Sequence, residues 1–288
     1  MSDTSATTAT LLLSCPDQPG IVAAVSQFVA DHGGNIVHAE QHTDREEGIF
    51  FQRVEFEVDG FGLEREGIRA AFDPILERFA MSASIRFSDQ VQRVAVLVSK
   101  QGHCLLDLLG RWHMNELPGH LALVASNHPD HCDVTNSFGV DFHHLPVTPD
   151  TKQQQEADLL ALLADEGIDL VVMARYMQIL SPAVVAAHPM RIINIHHSFL
   201  PAFPGGRPYH QAHERGVKIV GVTAHYATAD LDEGPIIEQD VVRVSHRDGV
   251  TDLVRKGRDL EMVVLARAVR AHLEHRILVY GNKTVVFG

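Results

Sequence analysis

Four short, uninterrupted apolar runs in the last two thirds of the chain restrict its fold more than any other feature. They are RVAVLVS at 93–99, HLALVAS at 120–126, DLVVMA at 169–174 and RIINI at 191–195. Runs of this length without polar alternation are typical of strands that are buried on both faces. Segments with helical periodicity lie between them, including residues 151–166. The pattern predicts an open, mostly parallel Rossmann-like α/β sheet with helices on both faces.

The first 88 residues have a different pattern. We predict strands at 10–15, 36–43, 49–58 and 81–87, and helices at 21–30 and 63–79. The resulting order, βαββαβ, is that of a ferredoxin-like sandwich. A short join near Asp89 leads to the second pattern, so we predict two domains, residues 1–88 and residues 89–288.

Composition excludes several classes of function. The net charge of -13 disfavours a nucleic-acid partner, because phosphate binding needs a basic face. No apolar run approaches the roughly 20 residues of a membrane span, and the polar N-terminus does not resemble a signal peptide. Three widely spaced cysteines, Cys15, Cys104 and Cys132, fit reduced thiols better than a disulfide framework. We therefore expect a cytoplasmic protein that interacts with neither nucleic acid nor membrane.

The segment NIHHSFLP at 194–201 places polar side chains at the end of a predicted strand and continues into a Pro/Gly-rich loop. Asn194 and His196 share one side if the strand extends through His196, and His197 should then point away. Ligands bind outside the carboxyl ends of strands in such sheets. A metal site would need further ligands at a recognisable spacing, which we do not find. The simpler alternative is that these residues close hydrogen bonds at a strand end.

A second segment, GVTAHYATADLDEGPIIE at 221–238, favours a chemical role. An apolar strand ends at His225, and an acidic loop that contains Asp232 follows at the same predicted sheet edge. An amide can stabilise a developing oxyanion, while an imidazole and a carboxylate can move a proton. Since no Ser or Cys lies in a nucleophile elbow, direct attack on a carbonyl by water or an amine is favoured over a covalent intermediate.

These two segments together resemble the signature of enzymes that use formyltetrahydrofolate. ARYMQIL at 174–180 resembles the folate-binding segment of the same enzymes, and the first unit, with CPDQPGIVAAVS and GGNI, resembles an ACT domain. An ACT domain ahead of a formyltransferase-type domain is the arrangement of the formyltetrahydrofolate deformylase family. The resemblance covers essentially the whole chain. One departure from the transferases is His197, where they usually have proline.

The resemblance implies hydrolysis of 10-formyltetrahydrofolate to tetrahydrofolate and formate, with formate supplied to purine biosynthesis and one-carbon folate pools kept in balance. It implies a catalytic trio and a pterin-binding segment, which are Asn194, His196 and Asp232, and Met177, Gln178, Ile179 and Leu180. His225 and Tyr209 are expected to support the trio, although ordinary packing explains both equally well. Folate and water are the expected substrates, with no metal and no cofactor.

Two alternatives to hydrolysis remain. The first is formyl transfer to an amine such as glycinamide ribonucleotide, whose transformylase carries a Gly-rich phosphate loop where this chain has SKQGHCLLDLL at 99–109. With only Gly102, and with Lys100 its only cation besides histidine, this loop predicts a poor phosphate site. Transfer to methionyl-tRNA is disfavoured by the lack of a basic C-terminal domain. The second alternative is a folate or amino-acid sensor without catalysis, which would not need the trio.

The resemblance to an ACT domain also implies self-association into a homo-oligomer and an amino-acid effector. The expected effector is an amino acid of one-carbon metabolism, glycine or methionine. Its expected site includes Asp17, Gly20 and Asn35, where a helix start and a following strand offer backbone amides. Turn geometry is an equally good explanation of the glycines.

Overall fold

The chain forms two compact units in the computed structural model, which describes residues 6–202 and 208–288. The first unit runs to Val91 and also contains Glu274–Tyr280 and Thr284–Gly288, and the second contains Gln92–Leu273 and Gly281–Lys283. The centre of the Pro/Gly-rich loop predicted after His197 falls at 203–207 and lies outside the described residues.

The first unit confirms the predicted βαββαβ order. Its elements are β1 (Thr8–Pro16), α1 (Ile21–Asp31), β2 (Ile36–Asp44), β3 (Ile49–Glu57), α2 (Arg65–Phe79) and β4 (Ser82–Phe87). The four strands form an antiparallel sheet in the order β2-β3-β1-β4. Alternate residues of β1 and β3 pack against the apolar faces of both helices, with Phe28, Phe56 and Phe72 in the core.

The second unit begins with alternating strands and helices. Its elements up to the last long helix are β5 (Arg93–Val98), α3 (His103–His113), β6 (His120–Ser126), α4 (Cys132–Ser137), β7 (Asp141–His144), α5 (Lys152–Asp165), β8 (Leu170–Met173), α6 (Pro182–Ala187), β9 (Ile192–His196), α7 (Pro208–Arg215), β10 (Ile219–Tyr226), β11 (Ile236–Arg243) and α8 (Val250–Leu273). The continuous apolar runs are buried as predicted, because layers of helices cover both faces of the sheet.

The seven strands of this sheet follow the order β11-β10-β9-β8-β5-β6-β7. The five strands from β9 to β7 are parallel, which confirms the predicted fold class. The other two strands, β10 and β11, are antiparallel to their neighbours. As a consequence β10 ends at Tyr226 opposite Ile193, near the start of β9, and not at the carboxyl edge where we expected both site segments to meet.

The last residues of the chain form a hairpin of β12 (Ile277–Tyr280) and β13 (Lys283–Val286). The sequence analysis assigned residues 274–288 to the second domain, whereas most of them belong to the first unit. The physical reason is a small apolar cluster in which Phe287 packs with Leu12 and Phe51. Arg53 also donates hydrogen bonds to the carbonyls of Glu274 and His275.

None of the helices in the described residues combines the length and the apolar character that a membrane crossing requires.

Candidate active site

The end of β9 carries two side chains of the candidate site. Asn194 and His196 lie on alternate residues of the strand and both line one cavity, as the alternation predicts. His197 lines this cavity as well, so the expectation that it points away is wrong. The reason is that β9 ends at His196, and strand alternation does not extend beyond it.

Asp232 reaches the cavity because the loop after β10 folds back along β9. Backbone hydrogen bonds close the loop from Tyr226 N to the Pro235 carbonyl (2.9 Å) and from Ala227 N to the Ile192 carbonyl (2.8 Å). Gly234 allows this close return, since a β-carbon there would lie 1.8 Å from the Tyr226 carbonyl oxygen. Asp232 itself adopts a left-handed conformation, with φ at 59°. The loop is therefore held in one shape before any substrate binds.

His196 and Asp232 form a hydrogen-bonded pair at the cavity wall. The distance between His196 Nδ1 and Asp232 Oδ1 is 3.2 Å, and their side chains are 8% and 23% exposed. The hydrogen bond from His196 lowers the pKa of the Asp232 carboxyl, against the opposing effect of burial. His196 Nε2 is buried and has no hydrogen-bond partner among the described residues. A buried polar atom without a partner at a cavity wall is suited to a contact with substrate.

His225 orients the amide of Asn194. Its Nδ1 donates to the Tyr226 carbonyl (3.0 Å), so the Nε2 of the neutral ring accepts from Asn194 Nδ2 at 3.2 Å. Burial lowers the pKa of His225, which favours this neutral form. The two residues face each other because the register pairs His225 with Asn194 across β9 and β10. Within residues 6–202 and 208–288, the second N–H of the Asn194 amide has no partner and can therefore meet a ligand.

The cavity has a volume of about 350 Å³ and joins the polar wall to an apolar one. The predicted pterin-binding residues Met177, Gln178, Ile179 and Leu180 all line it. Met177 and Ile179 are 57% and 60% exposed, which is unusual for large apolar side chains beside a cavity. Exposed apolar surface next to convergent polar groups is typical of a site for a flat, largely apolar ligand.

The segment from Ala174 to Leu180 is anchored on β5. Ser99 Oγ accepts from Met177 N (3.0 Å) and donates to Asn127 Oδ1 (2.7 Å). Arg175 stands in a left-handed conformation, with φ at 64°, and its side chain is buried although it also lines the cavity. The sequence analysis named neither Arg175 nor Ser99 as residues of the site.

A buried acidic residue organises a second polar cluster behind the cavity. Glu261 of α8 is 1% exposed and accepts hydrogen bonds from His103 Nε2 (2.7 Å) and Tyr209 Oη (3.0 Å). Arg175 Nε lies 3.4 Å from the same carboxylate. Burial alone would raise the pKa of Glu261, but the hydrogen bond from His103 and the charge of Arg175 lower it on balance.

Tyr209 therefore hydrogen-bonds to Glu261 and, within the described residues, not to the trio that it was expected to support. Its ring lies 6.1 Å from that of His197, whose ring is in turn 5.2 Å from that of His196. Burial, together with the charges of Arg175 and His196, lowers the pKa of His197 to about 4. His197 is consequently neutral at physiological pH and separates the two polar clusters.

Three side chains near this cluster, His103, Cys104 and Glu261, have ligand atoms within 4.8 Å of one another and could meet a metal ion. The positive charge of Arg175 beside Glu261 disfavours a cation there. Burial also raises the pKa of the Cys104 thiol well above its usual value, which disfavours the thiolate that metals require. The donor set thus suits an internal ion pair better than a metal.

The residues predicted for an effector lie at the start of α1 and of β2. Gly20 precedes α1 with φ at 95°, and no side chain caps the helix. Asp17 N donates to the Gly48 carbonyl (2.8 Å), and Asn35 Nδ2 donates to Glu57 Oε2 (3.1 Å). Their role in binding stays a prediction.

Comparison with known proteins gives the family. The model of the formyl transferase family matches residues 92–269, and that of the ACT domain matches residues 9–66. A formyltetrahydrofolate deformylase from Synechocystis is 62% identical over 97% of this chain and 98% of its own length. The crystal structure of a deformylase from Pseudomonas syringae superposes with a TM-score of 0.96 at 49% identity, covering 100% of this chain and 96% of the other. A glycinamide ribonucleotide transformylase from Symbiobacterium toebii matches 70% of this chain and 97% of its own, with a TM-score of 0.66 and 35% identity. The chain therefore belongs to the formyltetrahydrofolate deformylase family, in which an ACT domain precedes a formyl transferase domain.

Proposed function

We propose that the cavity hydrolyses 10-formyltetrahydrofolate to tetrahydrofolate and formate, with Asn194, His196 and Asp232 as the catalytic residues. The observation that carries this proposal is the contact of His196 Nδ1 with Asp232, which leaves His196 Nε2 buried and without a partner among the described residues, in a cavity that Asn194 also lines. When water attacks a formyl carbon, the reaction requires an oriented base and a donor to the oxyanion within one cavity.

In the first step, water attacks the formyl carbon while His196 Nε2 accepts its proton. Asp232 stabilises the resulting imidazolium, because its carboxylate accepts a hydrogen bond from the Nδ1–H of His196, with 3.2 Å between Nδ1 and Oδ1. The carbonyl oxygen becomes an oxyanion, which the free N–H of Asn194 stabilises. His225 keeps that amide oriented, since it binds the other N–H of Asn194.

In the second step, the bond from the formyl carbon to N10 breaks, and the imidazolium of His196 returns the proton to N10. Collapse gives formic acid, which loses its remaining proton to solvent as formate, and tetrahydrofolate is released with His196 again neutral. Neither step needs a metal or a redox group, and we propose that the enzyme uses none. The apolar residues Met177, Ile179 and Leu180 hold the pterin, and Gln178 contributes polar contacts. Formate made in this way would supply purine biosynthesis in the cytoplasm.

The decisive experiment is to measure formate release from 10-formyltetrahydrofolate in the absence of any amine. We expect one formate for each tetrahydrofolate. Addition of glycinamide ribonucleotide should neither divert the formyl group nor compete well. Efficient formylation of that amine would contradict the proposal and favour transfer.

For the ACT domain, the proposal includes self-association and an amino-acid effector, glycine or methionine. An effector acts only through unequal affinity for two states of the protein, so its binding should alter both assembly and activity. The first unit includes most of the C-terminal hairpin, and a truncated variant should therefore lack residues 1–91 and the whole of 274–288 together.

We expect this truncation to lower the oligomer mass by light scattering and to abolish the effector response while some hydrolysis remains. An unchanged mass would contradict the role in assembly. If titration calorimetry detects no binding of glycine or methionine to the full chain, the regulatory role fails.

A further inference from the structure

Arg175 occupies a backbone conformation that suits glycine, and yet its side chain is only 8% exposed. A β-carbon is strained in the left-handed region, and surrounding contacts must hold it there. The backbone contacts come from β5, since Ser99 N donates to the Arg175 carbonyl at 3.3 Å and Ala174 N donates to the Leu97 carbonyl at 2.8 Å. These bonds fix the direction in which the Arg175 side chain leaves the backbone.

The side chain extends from the cavity towards α3 and α8. Arg175 Nη2 donates to Gln101 Oε1 at 3.0 Å, just before α3, and Nε lies 3.4 Å from Glu261 Oε2 in α8. Glu261 is in turn held by His103 at 2.7 Å and Tyr209 at 3.0 Å. The guanidinium is thus held by a hydrogen bond to Gln101 and by an ion pair with Glu261, in which Nε makes no hydrogen bond to the carboxylate.

Gly257 shows that this anchor is built into the fold. A β-carbon at Gly257 would lie 1.9 Å from Tyr209 Oη. Glycine inside a helix lowers stability relative to alanine. Its presence one turn before Glu261 leaves the space in which Tyr209 reaches that carboxylate.

The later residues of the folate-binding segment, from Met177 to Leu180, are instead held next to α5. Lys152 Nζ of α5 donates to the Ile179 carbonyl (2.6 Å), and Ser181 N donates to Glu156 Oε1 of the same helix (2.9 Å). The cavity therefore has one side next to α5, which is lined by the segment Met177–Leu180, and another next to α3 and α8, which is closed by Arg175.

We propose that Arg175 is a specificity-determining residue, which closes the α3/α8 side of the cavity and so restricts the formyl acceptor to water. Any amine acceptor, even a small one, is larger than water and would need room on this side of the cavity, which the guanidinium takes. Moving the arginine aside is unfavourable, because the buried carboxylate of Glu261 would lose the charge of Arg175 and keep only His103 and Tyr209 as partners. This inference rests on the proposed hydrolysis.

The test measures how the formyl group divides between water and hydroxylamine, a small amine. When hydroxylamine reacts, its nitrogen attacks the formyl carbon, the bond to N10 breaks and N10 takes up a proton, which yields formohydroxamate and tetrahydrofolate. Formohydroxamate is measured as its ferric complex and formate enzymatically, and a blank without protein is subtracted. For Arg175→Gly, whose backbone suits φ at 64°, we expect the hydroxamate-to-formate ratio to rise about tenfold over the wild type.

Two controls separate closure of the cavity from other effects. Millimolar guanidinium, compared with sodium at equal ionic strength, should fill the space left in Arg175→Gly and return the ratio towards that of the wild type. Met190→Gly makes the same backbone change at another left-handed residue, φ 53°, whose side chain is 36% exposed and does not line the cavity. This variant should keep the wild-type ratio.

Equal ratios in Arg175→Gly and the wild type would overturn the inference, as would an equal rise in Met190→Gly. If Arg175→Gly does not turn over, thermal unfolding decides instead. Guanidinium should then raise the Tm of this variant by several degrees and should not raise the Tm of the wild type. If guanidinium does not raise the Tm of Arg175→Gly, the inference is overturned. Failure of the wild type to release formate would refute the proposed hydrolysis, and the thermal measurement would still report separately on the space that Arg175 fills.

Discussion

Replacing Asp232 with Asn removes a negative charge 3.2 Å from His196 Nδ1 and keeps the size of the side chain. At an effective dielectric constant of about 20, two unit charges at this distance attract each other by about 5 kcal/mol. Asp232 is 23% exposed, so solvent screens part of this attraction, and the asparagine oxygen still accepts a hydrogen bond. We expect the barrier to rise by about 3 kcal/mol, which is roughly a 100-fold loss of kcat.

The assay is formate release under saturating 10-formyltetrahydrofolate, with KM measured in the same series. The loss should fall on kcat and leave KM within about threefold, because Asp232 acts on the imidazolium that forms during the reaction. Glu233→Gln is the matched control, since it removes the same charge from the next residue, whose side chain is exposed. It should retain nearly full activity.

Near wild-type kcat in Asp232→Asn would refute the assigned role. A rise in KM alone would instead identify Asp232 as a residue that binds folate. If Glu233→Gln loses as much activity as Asp232→Asn, the effect belongs to the overall charge of the loop and not to the contact with His196.

Three further predictions follow from the geometry. Asn194→Ala removes an oxyanion donor and should lower kcat by roughly 100-fold or more, with binding of a non-hydrolysable folate analogue unchanged by calorimetry; a change in affinity alone would contradict this role. Gly234→Ala places a β-carbon 1.8 Å from the Tyr226 carbonyl oxygen, so the loop must shift, and we expect both Tm and kcat to fall. In the control Gly249→Ala the nearest contact of the β-carbon is at 3.9 Å, and equal losses in the two variants would contradict the prediction. Burial and neighbouring arginines lower the pKa of His275 to about 4 from 6.5, so the folded chain binds fewer protons and its free energy of unfolding should fall as pH drops from about 6.5 to 4. Urea titration gives the free energy of unfolding at pH 7 and at pH 5, and His275→Asn should make the difference between the two values smaller. An unchanged difference would contradict the prediction.

Most of the fold could be predicted because its signals are local. The buried runs at 93–99 and 120–126 correspond to β5 and β6 within one residue, since continuous apolar sequence between helices fits only a covered strand. The antiparallel direction of β10 could not be predicted in this way. Its sequence is as apolar as those of the parallel strands, and strand direction depends on the connections across the whole sheet.

The trio was predicted unevenly. That Asn194 and His196 lie on the same side of β9 follows from strand alternation, which is a property of neighbouring residues. The position of Asp232 depends on the left-handed turn and on the contact of Gly234 with Tyr226, neither of which has a periodic signature. The motif identified the residue by resemblance, whereas the geometry that brings it to His196 is visible only in the folded chain.

Glu261 illustrates what a closer examination of the sequence could have found. It follows Leu253 and Gly257 at steps of four on the face of α8 that Leu265 continues, so it occupies a position at which an apolar residue is expected. A carboxylate on such a stripe must find buried partners, because an unpaired charge in the core is costly. That argument predicts a buried cation somewhere in the fold, but it cannot choose one. Arg175 lies 86 positions away and His103 lies 158 positions away, and only the sheet brings both to α8. The buried acid and the left-handed arginine are each unfavourable alone, and the contact between them offsets part of both costs.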